Sequence, residues 1–85
     1  MEKNLIGISI IKEPYFHYFY DDEMLNLAGL LIGYYTEDGK QGIVMFPYIE
    51  CPKIKGPGEY ELKIYESKEK KFKVSWYFNV YAAKE

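Results

Sequence analysis

The side chains able to do chemistry are few, and their spacing does not assemble them. His17 is the only histidine and Cys51 the only cysteine, with serines at Ser9, Ser67 and Ser75. A Ser-His-Asp or Cys-His arrangement needs its base within hydrogen-bond reach of the nucleophile. No spacing ties His17 to a serine or to Cys51, and it reads as a strand residue among aromatics. One histidine and one cysteine also fall short of the four nitrogen or sulfur ligands of a structural zinc site. Asp21-Asp22-Glu23 and Glu37-Asp38 are acidic turns without the spacing of a calcium loop. Cys51, beside Pro52, reads as a small buried residue, the common fate of a free cysteine. These residues predict no enzyme, no metal and no cofactor.

Lysine offers a second kind of chemistry. Lys68, Lys70, Lys71 and Lys73 line the last hairpin, with Tyr77 and Tyr81 on the same face. Lysines interleaved with aromatics can bind single-stranded nucleic acid. The rest of the composition argues against it. The net charge is −2, and all 11 basic residues are Lys. Arg, the usual residue for bidentate phosphate and base contacts, is absent. Edge-strand lysines that block aggregation are the simpler expectation. The charge is also uneven. Residues 1–50 hold three Lys and eight acids, a net of −5, and residues 51–85 hold eight Lys and five acids, a net of +3.

The aromatics carry most of the information. There are 10 Tyr, 5 Phe and one Trp among 85 residues. Phe16, Phe19, Phe46, Tyr60, Phe72, Trp76 and Phe78 nearly fill a small core. The other tyrosines are therefore surplus to it, and tyrosine is enriched at protein interfaces. Two clusters are candidate contact surfaces. One is Tyr15, Tyr18 and Tyr20 with Asp21 and Asp22. The other is Tyr77 and Tyr81 with Lys71 and Lys73.

These clusters must be positioned by strands. A chain of 85 residues is one domain, 1–85, and at 48% hydrophobic it is too apolar to be disordered. Leu5 to Ile11 is rich in β-branched residues and ends before Pro14. Tyr15 to Tyr20 is aromatic throughout. Leu27 to Tyr35 is apolar but interrupted by Gly29 and Gly33, which favours a sheet over a helix. Asp38-Gly39 signals a hairpin. Gly42 to Ile49 returns, with Pro47 marking an edge or a bend. Glu50 to Gly58 is a loop. Glu59 to Tyr65 alternates cleanly, and so do Phe72, Val74, Trp76, Phe78 and Val80 against Lys71, Lys73, Ser75 and Asn79. About six to seven strands at this spacing predict an all-β, antiparallel sandwich.

The stretch Pro57-Gly58-Glu59-Tyr60-Glu61-Leu62, then Tyr65, a turn, Ser75, Phe78 and Val80, resembles the last two strands of SKICH-type and related immunoglobulin-like sandwiches. The resemblance covers about 25 residues. It implies an Ig-like sandwich in which Tyr60 forms a tyrosine corner, its hydroxyl bonded to backbone a few residues upstream. The Asp-Trp that SKICH domains place before an earlier strand is replaced here by Ala28-Gly29-Leu30-Leu31. The resemblance therefore implies an architecture and no family activity.

The functional expectation is a non-enzymatic protein-interaction module. It would be an inhibitor or adaptor from a virus or mobile element, or a subunit of a larger assembly. The alternative is a carbohydrate- or small-ligand-binding sandwich using surface tyrosines and Trp76. A homodimer is expected through the segment near Tyr48 or the last strand. One cysteine excludes an internal disulfide and suits a reducing compartment. No signal peptide or spanning helix is evident, so the expected location is the cytoplasm of its own or a host cell, without membrane contact.

Overall fold

Clean alternation of apolar and polar residues becomes the longest ladder in the molecule. The computed structural model describes residues 4–83. They form seven strands: β1 (Leu5–Lys12), β2 (Tyr18–Tyr20), β3 (Leu31–Thr36), β4 (Gln41–Ile43), β5 (Tyr48–Glu50), β6 (Gly58–Tyr65) and β7 (Lys73–Tyr81). There is no helix among the described residues. One sheet has the order β1-β3-β4 and the other β2-β7-β6-β5. The all-β, two-sheet sandwich expected from the strand spacing is therefore what forms. The reading of residues 1–3 as free of a leader lies outside the described residues.

β6 and β7 pair antiparallel from Gly58↔Val80 to Tyr65↔Lys73. This register aligns the apolar positions of both strands on one face. Leu62, Ile64, Trp76, Phe78 and Val80 are buried there, and Phe19, Ile8 and Ile32 complete the core. Trp76 stacks on Phe78 at 5.5 Å between ring centroids, Tyr60 stacks on Phe78 at 6.0 Å, and Phe19 meets Phe78 edge-on at 5.6 Å. Such ring pairs add about 0.5–1.5 kcal/mol beyond the area they bury.

The Tyr60 hydroxyl donates to the carbonyl of Gly56 at 2.6 Å and accepts the N–H of Lys55 at 3.0 Å. It thus pins the loop that enters β6, as a corner tyrosine would. The Asp38-Gly39 hairpin also forms. Thr36 N–H and Lys40 C=O pair at 3.0 Å, and Gly39 takes a φ of +87°, which a glycine accepts without strain.

Several details depart from expectation. β2 pairs parallel with β7, so the sandwich is not wholly antiparallel. The aromatic run Tyr15 to Tyr20 contributes only its last three residues to a strand. Pro14 is buried, and the Tyr15 N–H bonds to Ala28 C=O, which holds the approach to β2 in irregular backbone. Leu27 to Leu30 forms a turn, so β3 starts at Leu31. Gly42 to Ile49 splits in two. The chain leaves the first sheet after Ile43 and joins the second at Tyr48, with Pro47 in the crossing link. Pro47 thus marks a bend between two edge strands.

That link leaves Phe46 87% exposed, and Phe16, outside the ladder, is 51% exposed. Both were expected in the core. Neither belongs to a strand whose pleat could aim it inward. Cys51 is also exposed, contrary to expectation, because it follows the edge strand β5 into open loop. β2 covers only Asn79 to Tyr81 of β7, so the stretch from Lys73 to Phe78 has no ladder partner on that side. Lys73 stands in that uncovered stretch, where a lysine discourages edge-to-edge pairing.

The molecule is elongated, with extents of 53 × 22 × 16 Å and a radius of gyration of 14.8 Å. A compact chain of this length would have about 12 Å. With so little interior, each core ring matters. Trp76→Ala should destabilise the fold by about 3–5 kcal/mol, as large aromatic truncations do, measured by urea unfolding followed by circular dichroism. Tyr60→Phe should cost about 0.5–1.5 kcal/mol, the net worth of the lost hydrogen bonding. An unfolding midpoint equal to wild type would show that the corner is idle.

Candidate interaction surface

Every second residue of β6 and β7 points away from the core, and the neighbouring strands extend that face. Parallel pairing puts Tyr18 opposite Asn79 and Tyr20 opposite Tyr81. Tyr77 lies one step further along β7. Tyr18 meets Tyr81 edge-on at 5.6 Å and Tyr20 at 6.1 Å. All four tyrosines are exposed. Four tyrosines from the two clusters expected to be alternatives thus share one face, because β2 docks beside β7.

Tyr15 does not join them. Its ring lies against Gly29, and the Lys12 ammonium sits 5.1 Å from its centroid. Asp21 has a scaffold role. Its N–H bonds to Tyr81 C=O at 2.9 Å, and its carboxylate accepts the Ala83 N–H at 3.1 Å, closing the end of the β2–β7 pair. Asp22 is exposed in the turn that follows β2. Lys71 and Lys73 are ion-paired, with Glu69 at 3.4 Å and with Glu61 at 3.8 Å. They lie at the far end of β7 from Tyr81, away from the tyrosine group.

That far end has its own arrangement. Tyr48 and Tyr65 pair across β5 and β6. Lys70 folds back over them, its ammonium 5.3 and 5.4 Å from the two ring centroids, and bonds to Glu50. Lys70 adopts a φ of +58°, which turns the chain from β6 into β7. The hydrogen bond from Lys70 holds the Glu50 carboxyl below its ordinary range, and the same bond raises Lys70. Glu61 is held low first by the Ser75 hydroxyl, then by the Lys73 and Lys63 cations. Three lysines of the last hairpin are therefore engaged with carboxylates of the chain itself, which weakens the case for nucleic acid.

His17 is exposed and lies outside the strands. Its Nδ1 is 3.4 Å from Glu13 Oε1, and its ring meets Trp76 edge-on at 6.1 Å. The same Glu13 oxygen accepts the Trp76 indole N–H at 3.3 Å. This group ties the segment after β1 to the second sheet. Neither Cys51 nor a serine is among its partners. The described residues hold no group of three or more His, Cys, Asp or Glu able to bind a metal ion. Nor do they include a helix long and apolar enough to cross a membrane. Trp76 is buried, so the sugar-stacking role considered for it is not open to it.

Sequence reasoning missed the anchoring glutamates. Glu13 carries no local signal. Glu61 and Glu50 become legible only once the strand register is known. Glu66 is the most connected of them. It accepts N–H bonds from Phe72 at 2.8 Å and Lys71 at 3.2 Å, and the Ser67 hydroxyl at 2.9 Å. Burial pushes its carboxyl up, but these donors outweigh burial and hold it below the ordinary value.

A carboxyl depressed in the folded state stabilises the fold above its unfolded pKa of about 4.3, and the contribution is lost as pH falls through the lower folded value. Acid should therefore erode stability progressively below about pH 4.5, from Glu66, Glu61 and Glu50 together. Glu66→Gln should be less stable than wild type at pH 7, with the gap narrowing by pH 3. Urea midpoints measured across that range would check this, and a gap independent of pH would refute it.

Compared with known proteins, the chain matches no family model, and no curated protein is similar to it.

Proposed function

We propose that this chain is a non-enzymatic interaction module that binds a protein partner through the outer face of its four-stranded sheet. One observation carries the reading. Tyr18, Tyr20, Tyr77 and Tyr81 are all exposed on the same end of one face, and three of them are already in edge-to-face contact. Rings held this way lose little entropy on binding, which is why tyrosine serves well at contact surfaces. Asp22 and Glu59 flank the group as exposed carboxylates, suited to a rim that tunes on-rate and partner choice.

The scaffold reading is an immunoglobulin-like sandwich of SKICH-like type, supported by the Tyr60 hydroxyl bonds to Gly56 and Lys55. The setting we infer is cytoplasmic, in its own or a host cell, as an inhibitor, adaptor or assembly subunit. An exposed free thiol at Cys51 suits a reducing compartment.

Tyr18→Ala with Tyr77→Ala should weaken partner binding by a few kcal/mol, as truncation of interface tyrosines does. The melting temperature should stay within a few degrees of wild type, since both side chains are solvent-facing. Quantitative affinity capture with wild type and the double variant tests this. Equal capture of every partner by both proteins would overturn the proposed face. Loss of glycan binding in place of protein binding would move the reading to the carbohydrate alternative.

A further inference from the structure

β2 is the outer strand of its sheet, and the chain leaves a small hollow beside it. Phe16, Tyr18, Phe19, Glu23, Met24 and Asn26 line a volume of about 200 Å³. Phe19 is buried, whereas Phe16, Tyr18 and Met24 are exposed. The hollow thus has aromatic walls, a flexible thioether and one carboxylate.

The turn after β2 holds that carboxylate in place. Glu23 Oε1 accepts the Tyr20 N–H at 2.9 Å, and the Glu23 N–H donates to Tyr20 C=O at 3.0 Å. Asn26 Oδ1 accepts the Ala28 N–H at 3.0 Å, which fixes the return of the chain. Backbone groups along a strand alternate in direction, and the Asp21 N–H bonds to Tyr81 C=O on the β7 side. Tyr18 and Tyr20 therefore turn their N–H and C=O groups the other way, to the edge of the sheet. Glu23 occupies those of Tyr20. Those of Tyr18 face the edge with no strand beyond them.

The charge around the hollow has one sign. From Glu13 to Gly39 the chain has no lysine or arginine, while Asp21, Asp22 and Glu23 follow β2 directly. The Asp21 carboxylate is engaged by the Ala83 N–H. Among the described residues, Glu23 Oε2 has no hydrogen-bond or ion-pair partner.

We infer that this hollow takes a basic side chain of the protein partner, arginine in preference to lysine. The inference rests on the reading of the adjoining tyrosine face as the contact surface, and it names the chemistry that the partner brings there. Small-molecule sites run to about 300–1,000 Å³, so a hollow of 200 Å³ suits a single side chain. An apolar side chain would desolvate the Glu23 carboxylate without bonding to it, and an acidic one would be repelled. A cation is drawn both by the ring faces and by the carboxylate. Arginine adds a planar group that stacks on rings and carries several N–H donors, for which Glu23 Oε2 and Tyr18 C=O are acceptors.

Amide NMR of the isotope-labelled full chain, titrated with the peptide acetyl-Gly-Gly-Arg-Gly-Gly-amide, tests it. Saturating shifts are expected at Phe16, Tyr18, Met24 and Asn26. The same peptide with citrulline, which keeps the shape of arginine without its charge, should give none. Glu23→Gln retains an oxygen for the Tyr20 N–H and should weaken arginine binding by about tenfold or more, the strength of one charge-assisted hydrogen bond. Phe16→Leu keeps the bulk without the ring, should weaken it severalfold, and serves if Glu23→Gln does not fold. No saturable shift, equal shifts from the citrulline peptide, shifts centred elsewhere, or full binding by both variants would overturn the inference. The titration needs no partner, so it judges the hollow even if the tyrosine face fails. A partner that Tyr18→Ala with Tyr77→Ala loses but Glu23→Gln holds at full strength would leave the face standing and overturn the hollow.

Discussion

The stack of rings along β7 and β6 is the constraint from which the other elements take their places. Trp76 and Phe78 are two residues apart, so the pleat puts both on one face, and Tyr60 joins from the paired strand. A chain of this size hides only about 60–65% of its unfolded surface, so a few large rings must supply much of the burial. Each remaining strand attaches to that slab by a specific contact. β2 has three residues, too few to hold a ladder alone, and Phe19 anchors it edge-on to Phe78. The segment after β1 is tied to Trp76 through Glu13. β1 and β3 supply Ile8 and Ile32 from above.

Fixing one face of β7 inward fixes the other face outward. The parallel docking of β2 then follows from Phe19 and brings Tyr18 and Tyr20 out beside Tyr81. The tyrosine group is thus a by-product of core packing in its position, though not in its composition. Serine or threonine at those sites would satisfy the ladder equally well. The ion pairs further along the same face do different work. Exposed pairs contribute about 0–1 kcal/mol each. Their effect is to keep Lys71 and Lys73 occupied and to shape the turn between β6 and β7, with Glu66 gathering the N–H groups that the turn would otherwise leave unbonded.

Legibility in the sequence tracked how local the signal was. The β6–β7 hairpin, the Asp38-Gly39 turn, the break at Pro47 and the inward face bearing Trp76 were all readable, because period-2 alternation and turn residues act within a few positions. The Tyr60 hydroxyl contact was readable for the same reason, since its partners lie four and five residues away. Partner choice between strands was not. Nothing near Tyr18 says that it lies beside Asn79, 61 residues on, and the merging of two tyrosine clusters depended on that pairing. Phe16 and Phe46 misled because hydrophobicity without a strand pleat does not decide direction. Glu13 was invisible because a carboxylate in a loop shows its partner only in three dimensions.

The two outward faces differ in the kind of contact each can make. The four-stranded sheet presents rings with polar tips, mixed with Asn79 and carboxylates. That composition suits reversible association, since each group can return to water when the partner leaves. The three-stranded sheet presents Ile11, Leu31, Tyr35 and Ile43 interrupted by Ser9, Lys12 and Gln41, a mixed surface with no such group of rings in mutual contact. Of the two faces, the tyrosine face is the better prepared for contact, because its rings are already held against one another and have less side-chain freedom left to lose on binding.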